Sequence, residues 1–334
     1  MSKSRLKLAL VAGGYSGEHE VSLRSQSGIA SFLQVTPYDI YHLLITPQEW
    51  VALHGGERYP VDKNDFSVTL PDEGRVFFDY VYNTIHGTPG EDGLFTGYLD
   101  MLGIPYSCCP TAIGALTFDK YLCNRYLSTF EIPISPSVRL RDREEVDVER
   151  VLDELSLPLF VKPNMGGSSI ATTRVDRADQ LLEAVHRAFD EAPQVLVEQL
   201  IVGTEVTCGV YEDKRGIHVL PVTEVVPKNE FFDYDAKYHG AVEEITPARI
   251  TEEMTNRIQE LSCQIYGYLG ASGIIRVDYI IQDGVPVLLE VNTTPGMTGT
   301  SFIPQQVRAD GKTMEEVLVS IIDFHLEKHK KWTN

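Results

Sequence analysis

Four polar residues near the end of the chain stand at strand-like spacing. Arg276 and Asp278 are two positions apart in one apolar segment, and Glu290 and Asn292 are two positions apart in the next. Because side chains alternate between the faces of a strand, each pair shares a face. If the strands are antiparallel neighbours, Asp278, Glu290 and Asn292 converge as three hard oxygen ligands, which suit Mg²⁺ at nucleotide phosphates. An exposed polar face of a hairpin would explain the same spacing.

A glycine-rich loop, Asn164–Ser169, follows a strand-like segment that ends at Lys162. Its two glycines let backbone N–H groups approach anionic oxygens, and Ser168 and Ser169 add hydroxyl donors. The loop and Lys162 are therefore candidate phosphate ligands, although a flexible hairpin turn has the same composition. The chain contains neither G-x-x-x-x-G-K-[ST] nor, after its first strand, G-x-G-x-x-G, which argues against a Walker-type site and a dinucleotide fingerprint.

The segment Phe231–Tyr238 mixes aromatic and charged side chains. This composition fits a lid whose rings close a site and whose Lys237 brings positive charge to a phosphate. It also fits a surface loop with partly buried rings. No H-E-x-x-H zinc pattern and no G-x-S-x-G nucleophile elbow is present, so neither of these chemistries is predicted.

The composition is that of a globular protein with an acidic surface. The 334 residues are 43% hydrophobic and 23% charged, and 29 Lys and Arg against 48 Asp and Glu give a formal net charge of −19. Such a surface repels phosphate backbones, so nucleic acids and anionic membranes are unfavourable partners. Five cysteines without a CxxC pair indicate reduced thiols. The apolar run Leu8–Ala12 is too short for a signal peptide and no stretch is long enough to span a membrane, so we expect a cytoplasmic protein.

The hydrophobic pattern divides the chain into three regions, the first of which has the order typical of an α/β unit with a parallel sheet. The first region is predicted to contain strands Leu6–Ala12, Tyr38–Ile45 and Asp79–Ile85 and helices Glu20–Leu33 and Gly93–Leu102. The second is predicted to contain helices Asp119–Thr129, Glu144–Leu155 and Arg177–Phe189 and strands Pro158–Lys162, Ala171–Val175 and Val195–Gln199. The third is predicted to contain strands Glu205–Tyr211, Ile217–Thr223, Gly273–Gln282 and Pro286–Asn292 and helices Glu252–Leu269 and Met314–His329.

Taken together, these segments resemble the D-alanine–D-alanine ligases of the ATP-grasp superfamily over nearly the whole chain. The motifs that carry the resemblance are, in chain order, Gly13–Ser22, His86–Gly93, Phe118–Lys120, Lys162–Ser169, Phe232–Tyr238, Arg276–Asp278, and Glu290–Thr298 running into Ser301–Pro304. A single motif of this kind is weak, whereas seven in the expected order are specific.

The resemblance implies an α/β (α+β) fold of three domains, an ATP-grasp fold preceded by a Rossmann-like domain. The expected domains are an N-terminal domain over residues 1–106, a central nucleotide-binding domain over 107–199, and a C-terminal domain over 200–334. The implied reaction uses ATP with two Mg²⁺ ions, or Mn²⁺, to activate one D-alanine as an acyl phosphate that a second D-alanine attacks. The product serves peptidoglycan synthesis, the substrates are small molecules, and the implied assembly is a homodimer.

By position, the resemblance also assigns roles to residues around the nucleotide. Those that face ATP are Lys120, Lys162 and Lys237 at the phosphates, Ser168 and Ser169 in the phosphate loop, and Glu198 and Glu205 on the adenine and ribose sides. Asp278, Glu290 and Asn292 are the implied Mg²⁺ ligands.

A second group of implied roles concerns the amino acids. Those for the first D-alanine are Glu18 at its ammonium and His86 near its carboxylate, with Ser168 and Tyr238 joining Glu18 in a hydrogen-bonded set. Those for the second D-alanine and the tetrahedral intermediate are Ser301 and the Phe302 backbone at the carboxylate, and Arg276 and the Gly296 N–H at the oxyanion.

Two alternatives stay open at this stage. A ligase that takes D-lactate or D-serine as its second substrate would resemble this chain, although Tyr238 in the lid segment favours an amine. A nucleotide-binding protein without catalytic activity is the other, although the three implied metal ligands are intact. The chain departs from the family pattern at Ala171, where glycine is usual, and at Phe302, where leucine is usual.

Overall fold

The strands of this protein form three sheets, with helices packed between and around them. A computed structural model of the chain describes residues 5–141, 143, 146–167, 171–227 and 242–333. Within these ranges the sheets have seven, four and six strands and follow one another along the chain. The predicted mixed α/β class is therefore confirmed. Among the described residues, no helix combines the length and the apolar character that crossing a bilayer requires.

The first sheet has three parallel strands at one end, and antiparallel strands extend it at the other. Its elements are β1 (Leu6–Gly13), α1 (His19–Phe32), β2 (Tyr38–Ile45), β3 (Trp50–His54), β4 (Glu57–Asp62), β5 (Ser67–Leu70), β6 (Gly74–Val76), β7 (Tyr80–Asn83) and α2 (Leu94–Leu102). The strand order is β6-β5-β4-β3-β2-β1-β7, in which β1 is parallel to β2 and β7. The sequence pattern predicted β1, β2 and β7 but missed the antiparallel strands β3 to β6. These are three to six residues long and partly exposed, so they carry little hydrophobic periodicity.

The second sheet has four strands in antiparallel pairs. This part of the chain contains α3 (Thr111–Phe118), α4 (Lys120–Ser128), β8 (Ser137–Leu140), α5 (Val148–Glu154), β9 (Leu159–Pro163), β10 (Thr173–Val175), α6 (Leu181–Glu191) and β11 (Val195–Gln199). The strand order is β10-β9-β11-β8. Apolar residues of α5 and α6 pack with those of the four strands in one core. Helices α3 and α4 do not belong to that core, because Cys123 and Leu127 of α4 pack against the third sheet instead.

The third sheet carries the polar pairs that the sequence singled out. Its elements are β12 (Thr204–Asp213), β13 (Gly216–Val219), β14 (Thr223–Pro227), β15 (Val242–Ile245), α7 (Glu252–Leu269), β16 (Ile274–Gln282), β17 (Val285–Asn292), α8 (Phe302–Ala309) and α9 (Met314–Thr333). The path is β15-β14-β12-β16-β17, with β13 also paired to β12. Strands β16 and β17 are antiparallel neighbours, as the sequence reasoning required.

One predicted strand of this region was wrong in its extent. Residues 217–223 do not form one strand, because the chain breaks between β13 and β14. Strand β13 pairs with the end of β12 at Val210–Asp213, whereas β14 pairs with its beginning at Glu205–Thr207. The chain must therefore travel along one edge of β12, and the apolar residues Leu220 and Val222 are buried in that connection.

A buried histidine joins helix α9 to the first sheet, to the segment after α2 and to the segment before β16. The Nδ1 atom of His325 lies 2.7 Å from the Tyr80 hydroxyl and 3.1 Å from the Tyr106 carbonyl oxygen, and its Nε2 atom lies 3.0 Å from the Ser272 hydroxyl. Burial lowers the pKa of His325 to about 4. The imidazole is therefore neutral at pH 7, and it ties three distant segments together.

We expect His325 to make this protein sensitive to acid. Its pKa is about 4 when folded and about 6.5 when unfolded, so its contribution is complete above pH 6.5 and is lost as the pH falls towards 4. Denaturant unfolding at pH 7, 5.5 and 4 should show that His325→Gln loses less stability over this range than the original chain, by up to about 3 kcal/mol. Parallel stability curves for the two proteins would contradict this account.

Candidate active site

Two adjoining cavities lie between the sheets, and they collect the residues that the sequence singled out. Their volumes are about 440 Å³ and about 780 Å³. The predicted residues that line one or both are Glu18, His86, Lys120, Lys162, Glu198, Glu205, Arg276, Asp278, Glu290, Asn292, Gly296, Ser301 and Phe302. The other predicted residues, Ser168, Ser169, Lys237 and Tyr238, lie outside the described residues.

The carboxylates of β16 and β17 face each other across the strand pair. In the register Asp278 lies opposite Glu290, and Arg276 lies opposite Asn292. The Asn292 Nδ2 atom donates to Asp278 Oδ2 at 2.9 Å and to Glu290 Oε1 at 3.5 Å. The positive end of an amide dipole thus occupies the point on which both carboxylates converge. The two carboxylates supply oxygen ligands of the kind a divalent cation binds, and Asn292 would complete the set by turning its Oδ1 atom toward the ion, so the residue types fit such an ion.

Arg276 is held by two groups in the same place. Its Nε and Nη2 atoms donate to Asp278 Oδ1 and Oδ2 at 2.8 and 2.7 Å, and its guanidinium lies 5.3 Å from the centroid of the Phe302 ring. Burial by itself lowers the pKa of Arg276. The nearby Asp278 carboxylate has the opposite effect, and the pKa is raised above its ordinary value. A permanent, oriented cation therefore lines both cavities. The aromatic ring that Arg276 contacts belongs to Phe302, one of the two departures from the family pattern.

Two lysines lie at the polar end of the larger cavity. Lys162 Nζ lies 2.6 Å from Glu198 Oε2, with side chains only 13% and 8% exposed. Lys120 Nζ donates to the Gly166 carbonyl oxygen and lies 3.9 Å from Glu290 Oε2. Burial lowers the pKa of Lys120. The apolar side chains that also line this cavity include Phe160, Leu200, Val226, Ile280 and Leu289. An apolar pocket beside a cluster of cations and acids suits a nucleotide with its metal-bound phosphates.

Helix α1 carries one wall of the smaller cavity. Glu18 immediately precedes the helix, and its carboxylate lies close to Gly167, since a Cβ atom there would be 2.8 Å from the Glu18 Oε2 atom. The Ser25 hydroxyl lies 3.2 Å from His86 Nε2 and accepts a hydrogen bond from the Met297 N–H at 3.3 Å. The helix thus connects His86 to the loop that follows β17.

Helix α8 also begins at the smaller cavity. Ser301 precedes its first residue, Phe302, and the Ser301 Oγ atom accepts a hydrogen bond from the Thr298 N–H at 3.1 Å. The first N–H groups of a helix have no partner within it and carry partial positive charge, so this end of the cavity favours an anion. Gly296 lies close by, since a Cβ atom there would be 3.0 Å from Ser301 Oγ.

Sequence reasoning assigned no role to two acids that line the smaller cavity, Glu91 and Glu244. The Glu91 Oε2 atom accepts a hydrogen bond from the Gly87 N–H at 2.6 Å, and burial raises the pKa of Glu91 to about 7. Glu91 lies in the same sequence motif as His86, so that motif could have indicated a place for it in the site. Glu244 lies outside every quoted motif, so only the fold brings it to the site.

Ala171, the other departure from the family pattern, has a φ of +52°. This is the left-handed region, which a residue with a Cβ atom adopts at a cost of roughly 1–2 kcal/mol. The glycine expected at this position would avoid that strain, so the substitution is not neutral for the backbone after the phosphate loop.

The fold and the cavities define the class of protein first. Two antiparallel sheets that enclose a lysine-lined cavity, with paired carboxylates on the strands of one sheet, are the ATP-grasp arrangement. Residues 7–109 match the family model described as D-ala D-ala ligase N-terminus, and residues 127–323 match the model described as D-ala D-ala ligase C-terminus. The chain belongs to the D-alanine–D-alanine ligase family.

Relatives of known name agree with this assignment. A protein of Porphyromonas gingivalis named D-alanine–D-alanine ligase is 59% identical over 318 residues, which cover 94% of this chain and 96% of that protein. The crystal structure of the VanG D-Ala:D-Ser ligase from Enterococcus faecalis has a TM-score of 0.86 and 32% identity, covering 96% of this chain and 100% of that chain. The structure of D-alanyl-alanine synthetase A from Vibrio cholerae has a TM-score of 0.87 and 28% identity, covering 97% and 99%.

The buried pair of Lys162 and Glu198 predicts an asymmetric effect on stability. Lys162→Met leaves the Glu198 carboxylate buried without its nearest cation, so the free energy of unfolding should fall by about 3 kcal/mol. The double variant Lys162→Met, Glu198→Gln removes both charges and should recover most of that loss. Chemical denaturation of the three proteins without nucleotide measures both effects. If the double variant is no more stable than the single variant, the loss in the single variant does not come from an unpaired Glu198 carboxylate.

Proposed function

We propose that this protein joins two D-alanine molecules into D-alanyl-D-alanine at the expense of ATP, for the synthesis of peptidoglycan. The observation that carries the proposal is the convergence of Asp278, Glu290 and Asn292 beside Arg276, between a nucleotide-sized cavity and a smaller polar one. The printed names of the relatives from Porphyromonas gingivalis and Vibrio cholerae support the choice of D-alanine.

The larger cavity is the proposed nucleotide site. Lys120 and Lys162 bind the phosphates, and Glu198 and Glu205 face the adenine and ribose. The proposed roles of Ser168, Ser169 and Lys237 at the phosphates come from sequence alone. Because Lys162 is paired with Glu198 in the structure, a nucleotide that binds here must share or replace that contact. The proposed phosphate-side and adenine-side groups thus adjust together when the nucleotide enters.

Asp278, Glu290 and Asn292 are the residues proposed to hold the divalent cations, two Mg²⁺ ions for which Mn²⁺ is an alternative. When bound, such ions offset the negative charge of the triphosphate and of the group in transfer. The protein's contribution is to hold both carboxylates within reach of one point. The hydrogen bond from Thr207 Oγ1 to Asp278 Oδ1, 2.5 Å long, helps to fix that geometry.

The chemistry follows from the poor reactivity of a carboxylate towards an amine. A carboxylate oxygen of the first D-alanine attacks the γ-phosphorus of ATP, and the bond to ADP breaks, which yields an acyl phosphate. The amine of the second D-alanine, having lost a proton, attacks the carbonyl carbon. The tetrahedral intermediate then expels phosphate and leaves the new peptide bond. Charge builds up on the carbonyl oxygen, and Arg276 and the Gly296 N–H are proposed to stabilise it.

The smaller cavity is the proposed amino-acid site. Glu18 binds the ammonium of the first D-alanine and His86 lies near its carboxylate, while Ser301 and the Phe302 N–H receive the carboxylate of the second. The start of α8 supports the last assignment, since its N–H groups favour an anion. Ser168 and Tyr238 are proposed to order the first site together with Glu18, on the evidence of the sequence motif.

Three further features belong to the proposal. The division into domains 1–106, 107–199 and 200–334 is supported by the order of the three sheets along the chain. A homodimer is the proposed assembly, on family resemblance. A cytoplasmic location is proposed because the five cysteines are free thiols and the substrates are small polar molecules.

The direct test is an assay with purified protein, Mg²⁺, ATP and D-alanine, followed by phosphate release and chromatography of the dipeptide. Parallel reactions with D-serine or D-lactate as the second substrate test the nearest alternatives. D-serine is included because the similar VanG structure is that of a D-Ala:D-Ser ligase. Preference for either over D-alanine at neutral pH would overturn the proposed substrate, and no phosphate release would overturn the activity.

Arg276→Ala should separate catalysis from nucleotide binding. Loss of an oxyanion donor lowers turnover by roughly 10²–10³-fold. Asp278 keeps its hydrogen bonds from Thr207 and Asn292, so we expect the strand pair to stay intact. Steady-state turnover and fluorescence titration with an ATP analogue measure the two effects. Unchanged turnover would remove Arg276 from the mechanism.

Glu18→Gln should act mainly on the first D-alanine. The change keeps the shape of the side chain and removes the charge that pairs with an ammonium, so the half-saturation constant for the first D-alanine should rise by roughly tenfold, or about 1.4 kcal/mol. Turnover at saturation should change much less. Fitting both half-saturation constants for D-alanine checks this, and a shift in the second constant alone would contradict the assignment.

A further inference from the structure

Glu244 is one of four glutamates, with Glu18, Glu91 and Glu290, that line the proposed amino-acid cavity. It lies on β15, the edge strand of the third sheet, and lines the cavity together with Arg276, Ser301 and Phe302. Strand β15 is held to β14 by backbone pairing that places Glu244 opposite Val225. The position of Glu244 is therefore set by the sheet.

A glutamine joins this carboxylate to the segment that leads into α8. The Gln305 Nε2 atom donates to Glu244 Oε2 and also to the Thr300 carbonyl oxygen, the latter at 2.7 Å. The Gln305 N–H donates in turn to the Ser301 carbonyl oxygen at 3.2 Å. Glu244 is thus anchored to the same few residues that offer Ser301 and the Phe302 N–H to an anion.

Glu244 has no cation of its own among the residues that the structure describes. The nearby Arg276 guanidinium is already bonded through two nitrogens to Asp278. Within the same described part of the chain, Glu244 Oε1 accepts no hydrogen bond, and Oε2 accepts the one from Gln305. Although Glu244 is an exposed residue, partial desolvation in the cavity raises the pKa of its carboxyl, and Gln305 and Arg276 only partly oppose this. A carboxylate in this position gains most from a cationic partner brought by a ligand.

We propose that Glu244 receives the ammonium group of the second amino acid and thereby favours amino acids over hydroxy acids at that position. The inference rests on the proposed function. In an α-amino acid, one carbon separates the ammonium from the carboxylate, so the two charges need partners on neighbouring walls. Ser301 with the Phe302 N–H and Glu244 supply such a pair, linked through Gln305. D-lactate has an uncharged hydroxyl in place of the ammonium and gains nothing from the carboxylate.

The test is the variant Glu244→Gln, which keeps an acceptor for Gln305 and removes only the charge. We expect the half-saturation constant for the second D-alanine to rise roughly 3- to 10-fold, the range for one charged hydrogen bond at a partly exposed site. The constant for the first D-alanine and the turnover at saturation should change less than about twofold. D-lactate, offered as second substrate or as a competitor of D-alanine, should bind the variant as it binds the original protein.

Glu243→Gln is the matched control. Glu243 precedes Glu244 on β15, so its side chain points to the opposite face, and it does not line the cavity. This control removes the same charge from the same strand and should leave all constants unchanged.

Three results would overturn the inference. The first is an unchanged half-saturation constant for the second D-alanine in Glu244→Gln. The second is an equal loss of binding for D-alanine and D-lactate, which would indicate a structural role. The third is an effect of Glu243→Gln equal to that of Glu244→Gln. Each of them leaves the proposed function standing if the original protein makes the dipeptide. An original protein that makes no dipeptide would overturn both proposals.

Discussion

The site depends on a set of buried charges that is stable only because β16 pairs with β17. Arg276 and Asp278 lie on one strand, both side chains are 11% exposed, and each would be costly to bury alone. Their two parallel hydrogen bonds, with the further donors Thr207 and Asn292 on Asp278, satisfy the buried carboxylate from three sides. Because this network is complete, Glu290 can be held beside it as a second acid facing the cavities.

The distribution of charge explains how so acidic a chain can accept a polyanion. The formal net charge is −19, yet Lys120, Lys162 and Arg276 all line the larger cavity. Each is balanced by one acid in the structure, namely Glu290, Glu198 or Asp278. A triphosphate with its cations can enter such a site by exchanging partners, so no charge needs to be buried unpaired.

Close backbone packing holds the smaller cavity, the proposed amino-acid site, together. Gly28 in α1 leaves room for the Met297 carbonyl oxygen, which a Cβ atom would approach to 2.1 Å. The helix can therefore lie against the loop after β17, and Ser25 can join that loop to His86. The walls that carry Glu18, His86 and Gly296 come from distant parts of the chain, and their spacing is set by these contacts.

Much of this protein could be predicted from local sequence. Long elements such as α7 and β2 were predicted to the residue. Burial of one face gives α7 a clear helical period over 18 positions, and β2 is an eight-residue segment rich in apolar and aromatic residues. The alternation at Arg276 and Asp278, and at Glu290 and Asn292, likewise defines which side chains share a face. Only the tertiary structure decided the rest: the short hairpin strands β3 to β6, the packing of α4 on the third sheet, and the arrival of Glu244 at the cavity. These depend on contacts between residues far apart in the chain, for which a single sequence carries no periodic signal.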